Sequence, residues 1–258
     1  MQNLFGPPSV EQLEAEGEVD ELIRTLSERR EQTCAAIAAL GRLADAQAVD
    51  PLVAVLDDDV RETAIAALGE IGDARAVEPL AKLLVNESPP IQRAAARALG
   101  KIGDPQAIAS LVNAVHEGAA PKVAAQAIVQ ASAEPVKHLA PMLQAQDMSV
   151  RWAAAEALSE VGAPAVPSLV DMLQDADSGA HAPAAWALGE IEDPRAVSLL
   201  IELLDHPKAK ARQVAAVELG RMGDERAVEP LSKALDIEQD EEVREALVDA
   251  LEAITGDS

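Results

Sequence analysis

The stretch "RETAIAALGEIGDARAVEPLAKLL" (residues 61–84) decides the fold, because the chain returns to it several times. "RAAARALGKIGDPQAIASLVNAV" (93–115), "APAAWALGEIEDPRAVSLLIELL" (182–204) and "RQVAAVELGRMGDERAVEPLSKAL" (212–235) repeat its phrasing. A reference leucine, placed just before the glycine in the clearest copies, recurs at Leu40, Leu68, Leu99, Leu158, Leu188, Leu219 and Leu251. The 59-residue interval from Leu99 to Leu158 holds one degenerate copy, in which Ile128 takes the leucine position. There "VKHLAPML" (136–143) aligns with "VPSLVDML" (166–173). Every step then lies between 28 and 32 residues, the signature of a solenoid of stacked repeats.

Each repeat reads as two helices. In the second, B, apolar residues keep helical register around the reference leucine, as Val60, Ala64, Ala67, Leu68 and Ile71 do in one copy. A Gly-Asp turn follows, with Asp73, Asp104, Asp193 or Asp224 placed to cap the helix after it. That helix, A, carries "RAVEPL", with Pro51, Pro79 and Pro230 early enough for a missing amide to cost little. The count is eight A–B pairs from about Glu18 to Thr255, with a short capping helix from Ser9 to Glu16 in front. The expected organisation is an N-terminal segment over 1–17 and one uninterrupted repeat array over 18–258.

The phrase "VR..AA.ALG.IGD.RAV.PL..LL" resembles the HEAT-repeat family, in the short variety first described in phycobilin lyases. The resemblance covers nearly the whole chain and implies an all-α, right-handed superhelix with the A helices on the convex side and the B helices lining a concave groove. Relatives of this type include bilin lyase subunits, deoxyhypusine hydroxylase, DNA alkylation-repair glycosylases and many adaptor proteins, among them taxis proteins of halophilic archaea.

A helical wheel says which B residues face outward. Positions −8, −4, −1, 0 and +3 from the reference leucine share one face. The −4 column is alanine from Ala36 to Ala215 and ends in Leu247, so this face is expected to be buried and tightly packed. Positions −6, −2 and +2 lie opposite and vary freely. They place Arg93, Arg97, Lys101, Lys122 and Gln126 on one outward stretch, and Trp152, Glu156 and Trp186 on the next. Two tryptophans are all the chain has, beside one phenylalanine and no tyrosine, and both fall in these columns. Large aromatics on a binding surface are typical anchors, so the rings point to a partner; the alternative is packing across the neighbouring helix. The cations likewise read either as partner contacts or as internal pairs with Glu62, Glu70 or Glu156.

Composition narrows the partner. The chain carries 45 acidic and 21 basic residues, a net charge of −24 that repels nucleic acid backbones and anionic membranes. The excess of acid resembles that of proteins from high-salt cytoplasms and implies a halophilic archaeal host. Neither a basic-then-apolar leader nor a run of about 18 apolar residues is apparent, so a cytoplasmic location is expected. Cys34 is the single cysteine and has no adjacent histidine to activate it. Arg61, Arg151, Arg212 and Arg244 recur at position −7 and resemble the family's Asp–Arg ladder.

Signs of catalysis are weak. The resemblance to deoxyhypusine hydroxylase implies repeated His-Glu pairs to hold iron, but of His116, His138, His181 and His206 only His116 precedes a glutamate. No Gly-rich phosphate loop, Ser–His–Asp set or zinc motif is present. The expectation is therefore a scaffold that binds another protein or peptide segment, with no catalytic residue, metal or cofactor. A bilin-lyase-like enzyme using the same groove for a chromophore is the alternative, and a nucleic-acid repair protein a more distant one.

Overall fold

The computed structural model describes residues 8–28, 32–174, 180–191 and 193–256. Among the described residues every regular element is a helix. A short α1 (Val10–Glu16) leads, followed by the pairs α2 (Val19–Glu28) and α3 (Thr33–Leu43), α4 (Val49–Ala54) and α5 (Arg61–Ile71), α6 (Val77–Asn86) and α7 (Pro89–Ile102), and α8 (Pro105–His116) and α9 (Pro121–Ala131). Four more pairs follow: α10 (Pro135–Leu139) and α11 (Met148–Val161), α12 (Val166–Gln174) and α13 (His181–Ile191), α14 (Pro194–Leu203) and α15 (Ala209–Met222), and α16 (Val228–Ile237) and α17 (Glu241–Thr255). The eight pairs read from the repeat spacing are all present, and the architecture is an α-solenoid. Contacts divide it into two compact units, one ending at Ala133 and the other beginning at Glu134.

In each unit the odd-numbered B helices stack on one another and the even-numbered A helices cover them. The −4 column explains the first layer: Ala36, Ala64, Ala95, Ala124, Ala154, Ala184 and Ala215 are fully buried, and Leu247 is 1% exposed. Small residues there let the backbones approach. The +1 glycines bring them closer still, each facing the −1 alanine of the next repeat. A Cβ added at Gly41 would lie 2.9 Å from the Cα of Ala67, one at Gly69 2.8 Å from that of Ala98, and one at Gly220 2.7 Å from that of Ala250. At Gly100 it would lie 2.9 Å from the Cβ of Ala127. No side chain fits in these gaps, so glycine here serves close approach.

The turn aspartates cap as expected: Asp73 accepts from the Arg75 amide at 2.9 Å, Asp104 from Ala107 at 2.6 Å, Asp193 from Arg195 at 2.8 Å and Asp224 from Arg226 at 2.9 Å. Three of them also hold the arginine two residues on, and its guanidinium reaches a carbonyl near the start of the preceding A helix. Arg75 donates to Ala46 O at 2.6 Å, Arg195 to Ala163 O at 3.1 Å and Arg226 to Pro194 O at 3.4 Å. The guanidinium and amide of the same arginine, both donating to the carboxylate, hold Asp73, Asp193 and Asp224 below the usual range. Ser9 begins α1 with a reciprocal pair, its hydroxyl accepting from the Gln12 amide at 3.3 Å while the Gln12 side chain accepts from the Ser9 amide at 3.0 Å.

Of the −7 arginines, Arg61 and Arg212 run between repeats, and the bonds described for them go to glutamates and carbonyls. Arg61 pairs with Glu87 at 3.2 Å. Arg212 grips Glu238 with two bonds of 2.6 and 2.9 Å, and also donates to the His206 and Pro207 carbonyls. Arg151 and Arg244 donate to carbonyls at the end of the preceding A segment. The turn before each B helix leaves such oxygens unpaired, and a guanidinium with five donors can satisfy several.

Candidate binding surface

The outward columns are solvent-facing on every B helix: none of the −6, −2 or +2 residues is buried. In the first unit the face begins with Arg42, whose guanidinium meets both oxygens of Glu14 on α1 at 2.6 Å. That pair ties the capping helix to the array, raises the Arg42 pKa and lowers that of Glu14. Further along, Lys101 pairs with Glu70, one of the internal acids the sequence offered. Arg93 and Arg97 are exposed one turn apart on α7 and make no ion pair or hydrogen bond among the described residues. Lys122 is exposed and Gln126 half-buried on α9, each with an interaction of its own. The cationic stretch thus resolves into one internal pair, two free arginines on a single helix and two engaged neighbours.

In the second unit Trp152 on α11 and Trp186 on α13 meet edge to face, with ring centroids 5.8 Å apart and planes at 61°. Such geometry is favoured by the ring quadrupoles. Trp152 remains 38% exposed and Trp186 is half-buried. Glu156 sits one turn beyond Trp152, half-buried and engaged. The two rings therefore pack on each other and still present apolar surface to solvent. Val217 on α15, 50% exposed, continues this surface.

Beside Trp186 the stacking rule breaks. The −1 column reads Ala39, Ala67, Ala98, Ala127, Ala157, Ala187, Glu218 and Ala250, with a single glutamate among alanines. Gly189 on α13 therefore faces Glu218 and no alanine. A carboxylate cannot enter the gap that a methyl group fills. Arg221 on α15 occupies it, its guanidinium lying where a Cβ on Gly189 would be. Glu218 is 7% exposed and accepts from Arg221 Nε at 3.0 Å, while Arg221 Nη2 leans on the Ala185 and Trp186 carbonyls at 3.5 and 3.4 Å. The wedge leaves an open cleft of about 430 Å³ between α13 and α15. Ala182, Ala185, Trp186, Val214 and Val217 form its apolar walls, with His181, Lys210, Gln213, Glu218 and Arg221 supplying the polar atoms. Trp186 and Val217 stand at −2 and Arg221 at +2, the outward positions of the wheel, whereas Glu218 stands at −1 and is found only by reading down that column.

No three His, Cys, Asp or Glu side chains come together as a metal site among the described residues. Cys34 is exposed on α3. No helix among the described residues is long and apolar enough to cross a membrane.

A repeat array with a tight buried seam and a variable outer face defines a class of helical-repeat proteins. Family models place the chain within that class: HEAT repeats match residues 56–132, 124–182 and 177–252, and a PBS lyase HEAT-like repeat matches 34–58. The chain belongs to the HEAT-repeat family. No curated protein matches it. Among solved structures, human deoxyhypusine hydroxylase in complex with glycerol is similar at 22% identity and a TM-score of 0.40, over 96% of this chain and 99% of that one. The complex of CpcE and CpcF of phycocyanin lyase from Nostoc sp. PCC7120 is similar at 19% identity and a TM-score of 0.43, over 98% of both chains. An engineered protein is similar at 24% identity and a TM-score of 0.44, over 96% of this chain and 81% of that one.

Proposed function

We propose that this chain is a non-catalytic scaffold that binds another protein or a peptide segment through the outward face of its B helices. The observation that carries the reading is the edge-to-face pair of Trp152 and Trp186, the chain's two tryptophans, set on adjacent B helices with Trp152 38% exposed. An array that needed only internal packing has alanine available at these columns, as at Ala66 and Ala182. Rigid aromatic surface at low conformational cost is what protein interfaces concentrate at their energetic centres. The free arginines 93 and 97 offer a second contact, for acidic side chains, on the first unit. The net charge of −24 supports a high-salt cytoplasmic setting, in which apolar contacts carry more of the affinity than screened charges do.

The test is affinity capture from host lysate at the host's own salt concentration, with wild type beside a Trp152→Ala/Trp186→Ala double variant. A defined protein retained by wild type and lost from the folded double variant supports the reading. The same proteins on both would overturn the role of the tryptophans. The match to a PBS lyase HEAT-like repeat at 34–58 favours one second reading, a lyase-type chromophore binder. A linear tetrapyrrole that quenches the tryptophan fluorescence saturably would support that instead.

A further inference from the structure

We infer that the cleft between α13 and α15 is a side-chain pocket for an acidic peptide, taking one apolar side chain against Trp186 and Val217 and its neighbouring carboxylate at Lys210. The inference rests on the reading of this face as a binding surface and adds the chemistry of its occupant. Three observations support it. The volume of about 430 Å³ lies in the range of roughly 300–1,000 Å³ usual for ligand sites, and its walls are mostly apolar with a few convergent polar groups. The accessible charge is cationic although the chain carries −24 overall: Glu218 is 7% exposed and already paired, whereas Lys210 is exposed. Among the described residues Lys210 meets only the Gln213 side-chain oxygen, at 2.7 Å, and Arg221 Nη1 donates to nothing. Lys210, on the edge of an apolar pocket and held only by a neutral partner, suits an incoming carboxylate.

The third observation is that one residue breaks the seam at this pocket and sets its polar wall. At four other B–B junctions an alanine Cα or Cβ stands within 2.9 Å of where a glycine Cβ would be, whereas at Gly189 the nearest atoms are those of the Arg221 guanidinium. Glu218 replaces that alanine, draws Arg221 across Gly189 and holds the helices apart. Glu218 is thus a positioning residue, which acts through the cleft it opens.

The two tryptophans supply separate indole N–H signals in a proton–nitrogen correlation spectrum, assigned with Trp186→Phe and Trp152→Phe. The probes are 4-phenylbutyrate and its uncharged amide. The acid is expected to move the Trp186 signal saturably and to bind about tenfold more tightly than the amide, as a charge-assisted contact implies. Glu218→Ala, which restores the alanine of the other repeats, is expected to abolish the shift for both probes with no fall in Tm. Lys210→Ala is expected to lower affinity for the acid and leave the amide unchanged. No saturable shift in the wild type would overturn the pocket, and so would Glu218→Ala binding as the wild type does. Equal affinity for acid and amide would overturn its acidic occupant. A pocket that fails while the double tryptophan variant still loses its captured protein leaves the scaffold reading standing.

Discussion

Glu238 shows how much one side chain contributes to joining two repeats. Its carboxylate takes two bonds from Arg212 and accepts the Gln239 and Asp240 amides at 2.9 Å each. The Arg212 guanidinium, first, and the backbone amides pull its pKa from 4.5 to about 2 against the opposing effect of burial. Because the folded value lies below the free one, the contribution is complete above about pH 5 and is lost as the pH falls through about 2. The shift corresponds to roughly 3 kcal/mol. Glu238→Gln is expected to cost somewhat less, about 2 kcal/mol at pH 7, since glutamine keeps the two amide bonds. Urea melts should show that deficit shrinking as the pH falls through about 2, where the wild-type carboxyl itself becomes protonated. A deficit independent of pH would mean that shape, not charge, matters at this site. The sequence marked Arg212 by its recurrence at −7, but not its partner, because Glu238 lies in a turn with no periodic pattern of its own.

At the scale of the helix, the B–B seam was largely legible. The alanine column at −4 and the glycines at +1 specify close approach, and the structure supplies it at distances that leave no room for a methyl group. Gly69→Ala should therefore lower stability by about 2 kcal/mol despite alanine's better helix propensity, because the new Cβ meets the Ala98 backbone at 2.8 Å. Gly189→Ala, the same change in the same column, has atoms of the Arg221 guanidinium as its nearest neighbours, and that group can swing aside. Its expected cost is under about 0.5 kcal/mol, since the propensity gain offsets what strain remains. Chemical denaturation of the two variants side by side checks the contrast, and equal losses would mean that the α13–α15 junction is as tight as the rest. The wheel could place Trp152 and Trp186 on the outer face because that needs only a period of 3.6. It could not show them touching, since the 5.8 Å separation depends on how α11 and α13 cross. Nor could it foresee that Lys101 would be taken up by Glu70 while Arg93 and Arg97 were left free, because that depends on rotamers.

For the molecule as a whole, charge sets the working conditions. With 45 acids against 21 bases, self-repulsion opposes the compact state and is screened as salt is added. Screening also weakens the exposed ion pairs, such as Lys82–Glu78 and Lys233–Glu229, but each of those contributes little. The net effect expected is a Tm that climbs by several degrees between about 0.1 and 2 M KCl. Differential scanning fluorimetry over that series checks it, and a flat or falling Tm would show that repulsion is not the dominant electrostatic effect. Periodicity made the eight pairs legible along the whole chain, because each repeat must satisfy the same neighbours. What departs from the repeat is harder to read, since a departure carries meaning only against the column it breaks.

The exchange at 218 also has a genetic reading. An alanine codon and a glutamate codon can differ by one base, GCA against GAA. At the junction of α13 and α15 that single difference separates a methyl contact, as at the other glycine junctions, from an arginine wedge and a cleft with a charged wall. Where a glycine of the preceding repeat faces this column, at Ala67, Ala98, Ala127 and Ala250, an alanine encoded by GCA or GCG is one base from the same exchange. A repeat array of this kind can therefore remake the lining of such a junction by point mutation, with no insertion or deletion and no shift of register.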